Sequence, residues 1–527
     1  MVPPPHKADI QTPEISDSSP VAIKPVVAAI ESQTESKPGS LDLSHHLSIE
    51  SRIRQKSLLK VSSSYLARDP ELLSLAAGLP SPSLFPIEKI TVTVPIAKPE
   101  SARNGLWNND GLLPDTRRDL LKEKDSSLKG QSEYDLSGAL QYEQGTGAKQ
   151  LLKFLKKHTE IVHNPQYRDW DCILSGGNTH AMETVFRMLI NPGEYIILEE
   201  FAFPETAEAL KPLRAKMIGI EMDEEGMRSD SIRQLLETWD ETARGDKRPG
   251  VLYVVPTGQN PTGATMSVQR RKEIYDICVT YDLIIIEDDP YYFLQMSDYV
   301  PGADPTVVHV PKTNDEFLST LIPSMLSIDT QGRVLRLDSF SKIAAPGLRC
   351  GWITGSDRFI ERVLRHNEVG LQFPSGVSMA VLHGMVAEAW GQDGYLDWLV
   401  NLRAEYTSRR NALLVAMDKY LPREVCDWVV PSAGMFVWLH VDHTKHPRKD
   451  NGIEAVEMEL FEAGIDNKVL ILPGAWFKVN QEARDVFFRA TFASVSAEDM
   501  ALAVERFGEV LRKSFGFVGI DDMQFET

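Results

Sequence analysis

The feature that most constrains this chain is a long alternation of short apolar runs with amphipathic segments. WDCILSGG, EYIILEE, AKMIGIEM, VLYVVP, LIIIED, VLRLDSF and GLRCGWITG read as strands, while GAKQLLKFLKKH, AMETVFRMLI, PETAEALKPL and RRKEIYDICVTYD between them read as helices. Strand-like runs this short and this apolar suit a sheet covered on both faces, so the pattern predicts a mainly parallel sheet between two helical layers. From about residue 355 the chain becomes strand-poor. There GYLDWLVNLRAEYTSRRNALLVAMDKYL predicts one long helix, and FVWLHV, VLILPG and VFFRATFA predict the strands of a smaller α+β domain.

With 527 residues the chain exceeds one hydrophobic core and calls for two to three domains. Residues 1–47 are rich in Pro, Ser, Thr and Glu without a sustained period, and predict a disordered arm. Residues 48–135 form an N-terminal segment carrying a polar, turn-rich insertion over about 98–135. A second polar stretch, from Tyr299 to Gly332, predicts another surface excursion. No internal repeat is present.

Charge and cysteine content exclude several classes. Lys and Arg total 56 against 75 Asp and Glu, a net charge of −19, with no long basic block, so nucleic acid is not an expected partner. Cys172, Cys278, Cys350 and Cys426 lie far apart without C-x-x-C or Cys/His clustering, which predicts reduced thiols and no metal. The N-terminus fits neither a secretory signal nor a transit peptide, and no apolar run reaches the roughly 18 to 20 residues of a membrane helix. A cytoplasmic enzyme without a membrane partner is the expectation.

Chemistry concentrates at the predicted strand ends. In Asp338-Ser339-Phe340-Ser341-Lys342 and the following Pro346-Gly347-Leu348-Arg349, two hydroxyls and a guanidinium fork supply donors for a phosphate beside a lysine amine. Thr257-Gly258-Gln259-Asn260-Pro261-Thr262-Gly263 follows VLYVV at the end where ligands of open α/β sheets bind, and puts Asn260 in reach of a ring substituent. Glu287-Asp288-Asp289-Pro290-Tyr291-Tyr292 ends another strand in carboxylates and tyrosines, of which one carboxylate would suit a pyridinium nitrogen and a tyrosine three residues on a phenolate oxygen. Gly177 and Asn178, in SGGNTH, open a helix whose free N–H groups can cradle an anion. Phe203, in EEFAFPET, can stack on a flat ring. Each of these taken alone also reads as an ordinary loop, strand end or helix cap.

Together SGGNTH, EEFAFPET, PTGQNPTG, EDDPYY, SFSKIAAPGLRCGW and FFRATF resemble the fold-type-I pyridoxal-phosphate aminotransferases, in particular the branch of fungal aromatic-amino-acid and kynurenine/2-aminoadipate aminotransferases. The resemblance runs from about residue 48 to about 515. It implies an α/β fold in which residues 136–375 form a large domain that binds pyridoxal 5′-phosphate on a mainly parallel seven-stranded sheet. Residues 376–527 would supply a connecting helix and a smaller α+β domain, to which residues 48–135 contribute.

The resemblance also implies roles. Lys342 would be the Schiff-base lysine and the proton carrier, Asp288 the pyridinium partner, and Tyr291 with Asn260 the ligands of the phenolate oxygen. Gly177, Asn178, Ser339, Ser341 and Arg349 would hold the phosphate, with Gly177 standing where some relatives have serine. Phe203 would cover the ring where many relatives have tyrosine. Arg489, in FFRATF, would pair with the substrate carboxylate, and Gly78, in AAGLP, would line the substrate cavity. Tyr142, in LQYEQGTG, would reach the phosphate of a neighbouring subunit, which implies a homodimer with shared active sites.

The reaction so implied is transfer of the amino group of an aromatic or other bulky L-amino acid to 2-oxoglutarate or another 2-oxo acid. A 2-aminoadipate or kynurenine preference and a lyase on the same fold are the alternatives. A transcriptional regulator on this fold would need a DNA-binding helix-turn-helix, which the first 60 residues lack.

Overall fold

A computed structural model of the protein describes residues 36–58, 71–72, 75, 78–95, 107–108, 111–112, 117–124, 132–479 and 484–517. Its centre is a seven-stranded sheet built from β1 (Trp170–Ser175), β2 (Tyr195–Glu199), β3 (Lys216–Ile220), β4 (Val251–Val254), β5 (Ile284–Asp288), β6 (Val334–Ser339) and β7 (Gly351–Ser356). Across the sheet the order is β1-β7-β6-β5-β4-β2-β3. β7 runs antiparallel to both neighbours and the remaining pairs are parallel, so the predicted mainly parallel sheet is present.

The two-residue period of a strand decides which side chains meet which helical layer. In β5, Ile284 and Ile286 pack with Ala181 and Val185 of α2 (Asn178–Leu189), whereas Ile285 packs with Ile274 and Ile277 of α3 (Val268–Tyr281). Each isoleucine is fully buried, worth about 2 kcal/mol apiece in transfer free energy. The same parity puts Tyr253, Leu335 and Leu337 on the α2 face and Leu252, Val254 and Val334 on the α3 face. Asp288 and Ser339 therefore emerge toward α2 at the carboxyl ends of their strands.

The smaller domain is an antiparallel four-stranded sheet of β8 (Cys426–Trp428), β9 (Phe436–Val441), β10 (Leu472–Pro473) and β11 (Val486–Thr491), in the order β8-β9-β11-β10. Against it lie the long helix α4 (Gly391–Tyr420), α5 (Ile453–Asp466) and α6 (Ala497–Phe515). α6 buries Met500, Val504, Phe507 and Leu511, the spacing of one helical stripe. Ser496 caps its first turn by accepting from Asp499 N, and Gly516 at φ 76° ends it.

Three segments expected to be peripheral are more deeply built in. The expected arm lies outside the described residues as far as residue 35, but residues 36–47 are seated on the large domain. Leu43 and Leu47 are buried there, and Ser40 bonds Asp169 through both N and Oγ at 2.6 Å. Within the 98–135 insertion, Arg117–Glu123 pairs with Lys89–Pro95, and the buried Lys122 reaches Glu388 at 2.6 Å. Within Tyr299–Gly332, Phe317, Met325 and Leu326 are fully buried, and the amides of Met325 and Leu326 donate to the buried carboxylate of Glu287. Few apolar anchors in a polar stretch suffice to bury part of it.

Candidate active site

A cavity of about 370 Å³ opens at the carboxyl ends of β4, β5 and β6 and is closed on one side by the smaller domain. Asn178, Phe203, Asn260, Asp288, Tyr291, Ser339, Ser341, Lys342, Arg349 and Arg489 all line it. Gly177 sits immediately behind, at φ 90°, where a Cβ would lie 2.6 Å from Arg349 Nη2. A side chain there would combine backbone strain with displacement of the guanidinium, so the glycine is a requirement of the site. Gly78 and Tyr142 do not join the cavity. Gly78 has no described atom within 4 Å of where its Cβ would be, and Tyr142 is 60% exposed.

One end of the cavity is a set of anion donors. Ser339 Oγ donates to Ser341 Oγ at 2.9 Å, and Arg349 Nη1 reaches Ser341 Oγ at 3.3 Å while Nη2 is held by Gly176 O at 2.9 Å. The start of α2 faces the same place with Asn178 and Thr179. Hydroxyls, a guanidinium fork and a helix N-terminus are together the donors a phosphate dianion takes.

The opposite end is a buried carboxylate. Asp288 Oδ1 accepts from Asn178 Nδ2 and Oδ2 from Tyr253 OH, each at 2.6 Å. Burial raises its pKa, and the Tyr253 and Asn178 hydrogen bonds oppose that rise only in part. Such a carboxylate calls for a positively charged or proton-bearing partner. Behind it, on the α3 face, fully buried Arg336 pairs with Glu287 and Asp289 at 3.1 Å and with Asp338 at 2.9 Å. That ionic cluster ties the ends of β5 and β6 together, fixing Asp288 relative to the turn that carries Lys342.

Lys342 lines the same cavity, half-buried and within the field of Arg489 and Arg349, and its amine makes no hydrogen bond among the described residues. Burial lowers its pKa, helped by the positive charges of Arg489 and Arg349. Such an environment favours the neutral, nucleophilic form of an amine.

The third group comes from the smaller domain. Arg489 on β11 holds its guanidinium between the rings of Phe436 and Phe477, at 4.4 and 4.7 Å from their centroids. Its Nη1 donates to Asn260 Oδ1 at 2.8 Å, and its buried Nε has no partner. No carboxylate among the described residues pairs with it, so the fork is poised for an incoming anion. Asn260 is itself held by a tight turn whose Gln259 side chain donates to Phe201 O at 2.6 Å and accepts from Thr262 N at 2.9 Å.

Tyr253, Arg336 and the two rings around Arg489 were not singled out from sequence. For Tyr253 the signal was available: in VLYVV it is the polar-tipped side chain on the α2 face, one strand from Asp288. Arg336 and the rings depend on contacts between distant segments that periodicity does not reveal.

A family model for class I and II aminotransferases matches residues 117–507. An aromatic amino acid aminotransferase of Schizosaccharomyces pombe is 44% identical over 478 residues, covering 90% of this chain and 98% of that protein. A mitochondrial kynurenine/alpha-aminoadipate aminotransferase of Bos taurus is 32% identical, covering 90% of this chain and 100% of its own. Among solved structures, aminotransferase Aro8 from Candida albicans superposes with a TM-score of 0.85 at 37% identity, over 91% of this chain and 100% of that one. The fold is thus the fold-type-I architecture expected from the motifs, and the chain belongs to the class I and II aminotransferases.

Proposed function

We propose that the cavity holds pyridoxal 5′-phosphate on Lys342 and exchanges the amino group of an aromatic L-amino acid with a 2-oxo acid such as 2-oxoglutarate. The observation that carries this reading is that one cavity is lined by the Lys342 amine, an anion-donor set and the buried carboxylate of Asp288. Ser339, Ser341, Arg349, Gly177 and Asn178 would hold the phosphate, and Phe203 would cover the ring. When bound, the pyridine ring supplies an electron sink for negative charge developing at the substrate Cα.

Asp288, oriented by Tyr253 and Asn178, would keep a proton on the ring nitrogen. Tyr291 and Asn260, which line the cavity, would bind the ring oxygen. Arg489 grips the substrate α-carboxylate, and Lys342 Nζ takes the proton from Cα. Met182, Phe203, Pro346 and Phe436 give the cavity its apolar lining. Among the described residues the cations that line it are Lys342, Arg349 and Arg489, each with a role already, and none of these is left for the second carboxylate of 2-aminoadipate. This favours an aromatic side chain, in agreement with what the Schizosaccharomyces pombe relative is named for.

The exposure of Tyr142 outside its own cavity supports a homodimer in which that tyrosine completes the phosphate site of the second copy.

Borohydride reduction followed by peptide mapping is expected to leave a phosphopyridoxyl group on Lys342, and Lys342→Ala to lose both label and turnover. Label on another lysine, or wild-type turnover by Lys342→Ala, overturns the assignment. With 2-oxoglutarate as acceptor, phenylalanine, tyrosine and tryptophan are expected to outrank 2-aminoadipate in kcat/KM, and the reverse order overturns the substrate class.

A further inference from the structure

Away from the cavity, His45, His46 and Asp282 converge where the N-terminal segment crosses the large domain. Ser44–His46 forms a single 3-10 turn between the buried Leu43 and Leu47, which delivers two adjacent imidazoles with ring centroids 4.2 Å apart. Asp282 ends α3 in the left-handed region at φ 57°. One ligand atom from each of the three residues lies within 4.8 Å of the others.

The polar contacts do not close. His45 Nε2 is 2.7 Å from Asp282 Oδ2, but His46 Nε2 faces Oδ1 at 3.3 Å without hydrogen-bond alignment. The His46 side chain is only 7% exposed, so its Nε2 is a buried polar atom that meets Asp282 Oδ1 at 3.3 Å but without good alignment. Leaving such an atom unsatisfied costs about 1–3 kcal/mol. Arg333 Nη1 donates to Oδ1 at 2.8 Å, orienting the carboxylate so that Oδ2 meets His45 while Oδ1 lies 3.3 Å from His46.

We propose that His45, His46 and Asp282 form a binding site for a divalent transition ion of the zinc class, which fastens the N-terminal segment to the large domain. Two imidazoles and one carboxylate are the donor set such ions take, with water in the remaining position. Around an ion at ordinary zinc–ligand distances, ligand atoms stand about 3.3 Å apart; the His46–Asp282 pair is already at 3.3 Å and the His45–Asp282 pair, at 2.7 Å, would open to admit the ion. A cavity of about 480 Å³ bordered by all three residues gives the ion and its water access.

The test is independent of the reading of the active site. The full chain, without a histidine tag, is titrated with cobalt(II) chloride, whose ligand-field absorption reports imidazole and carboxylate coordination. Absorption saturating at one ion per chain and bleached by zinc is expected, with affinity reduced at least about tenfold in both His45→Ala and Asp282→Asn. Zinc is expected to raise the Tm of the wild type and not that of His45→Ala. The His45 side chain is 57% exposed, so its replacement leaves the core intact. Absence of saturable cobalt binding, or undiminished binding by His45→Ala, overturns the proposal.

Discussion

The phenol of Tyr253 on β4 donates a 2.6 Å hydrogen bond to Oδ2 of Asp288 on the neighbouring β5. With Asn178 it is one of two hydrogen-bonding side chains that, together with the charge of Arg336, oppose the rise in pKa that burial imposes on this carboxylate. Tyr253→Phe keeps the ring and deletes the donor, so Asp288 should hold a charge less readily and pair less well with a ring nitrogen. A hydrogen bond to a charged group is worth about 1.5–3 kcal/mol, which corresponds to roughly ten- to a hundredfold. Cofactor affinity and kcat are expected to fall in that range while the KM for the amino acid stays put. Unchanged cofactor affinity in titrations of the variant would refute the role.

Arg489 stands between two phenyl rings with its Nε unpaired, a geometry that serves a planar fork and not a point charge. Arg489→Lys retains the charge and loses the bidentate contact. We expect kcat/KM for amino acids to fall roughly ten- to a hundredfold, again the worth of a charged hydrogen bond. An arylalkylamine without a carboxylate should react no worse with the variant than with the wild type. An equal loss for both substrates would show that Arg489 supports the fold and does not grip the substrate.

The central sheet was legible because Ile284, Ile285 and Ile286 form an apolar run that only a sheet covered on both faces can bury. The cavity residues were legible for a related reason: they cluster at strand ends, where turn-forming sequence and chemically active side chains coincide. What escaped was long-range and mutual. Lys122 reads as a surface lysine until Glu388, far along the chain, is placed beside it. The cluster of His45, His46 and Asp282 is equally invisible, since spacing rules for metal ligands scan neighbours and the third ligand comes from another element. Tyr142 and Gly78 rest on resemblance, and a single chain does not bring them to the cavity.

Gly258, in the turn before Asn260, meets Gly434 of the smaller domain backbone to backbone. A Cβ on Gly434 would lie 2.7 Å from the carbonyl oxygen of Gly258, and one on Gly258 would lie 2.4 Å from the Cα of Gly434. Both glycines have positive φ, at 56° and 83°. Gly434→Ala therefore adds left-handed strain to a collision with backbone that has no flexible end to yield, and should destabilise the protein by at least about 2 kcal/mol. Gly391→Ala is the matched control, with φ 65° but nothing within 4 Å of the added carbon. Denaturant midpoints should fall clearly further for Gly434→Ala, and equal losses would mean that the interdomain contact is not the cause.

His440 on β9 lies between two carboxylates, with Asp485 on Nε2 and Asp427 on Nδ1, while His443 shares Asp485 and the ring of Phe487 packs at 5.4 Å. The hydrogen bond to Asp485 is the largest influence and, against the cost of burial, the pKa of His440 is raised to about 9. A group bound more tightly by its proton in the folded state contributes stability that is complete below its unfolded pKa of about 6.5. That contribution is then lost as pH rises through about 9. The wild-type Tm should therefore drop across this window relative to His440→Gln, which has no imidazolium to lose. Because Asp427 is largely exposed, added salt should narrow the difference between the two proteins. Parallel Tm profiles for wild type and His440→Gln between about pH 6.5 and about 9 would show that the paired carboxylates do not hold the imidazolium in place.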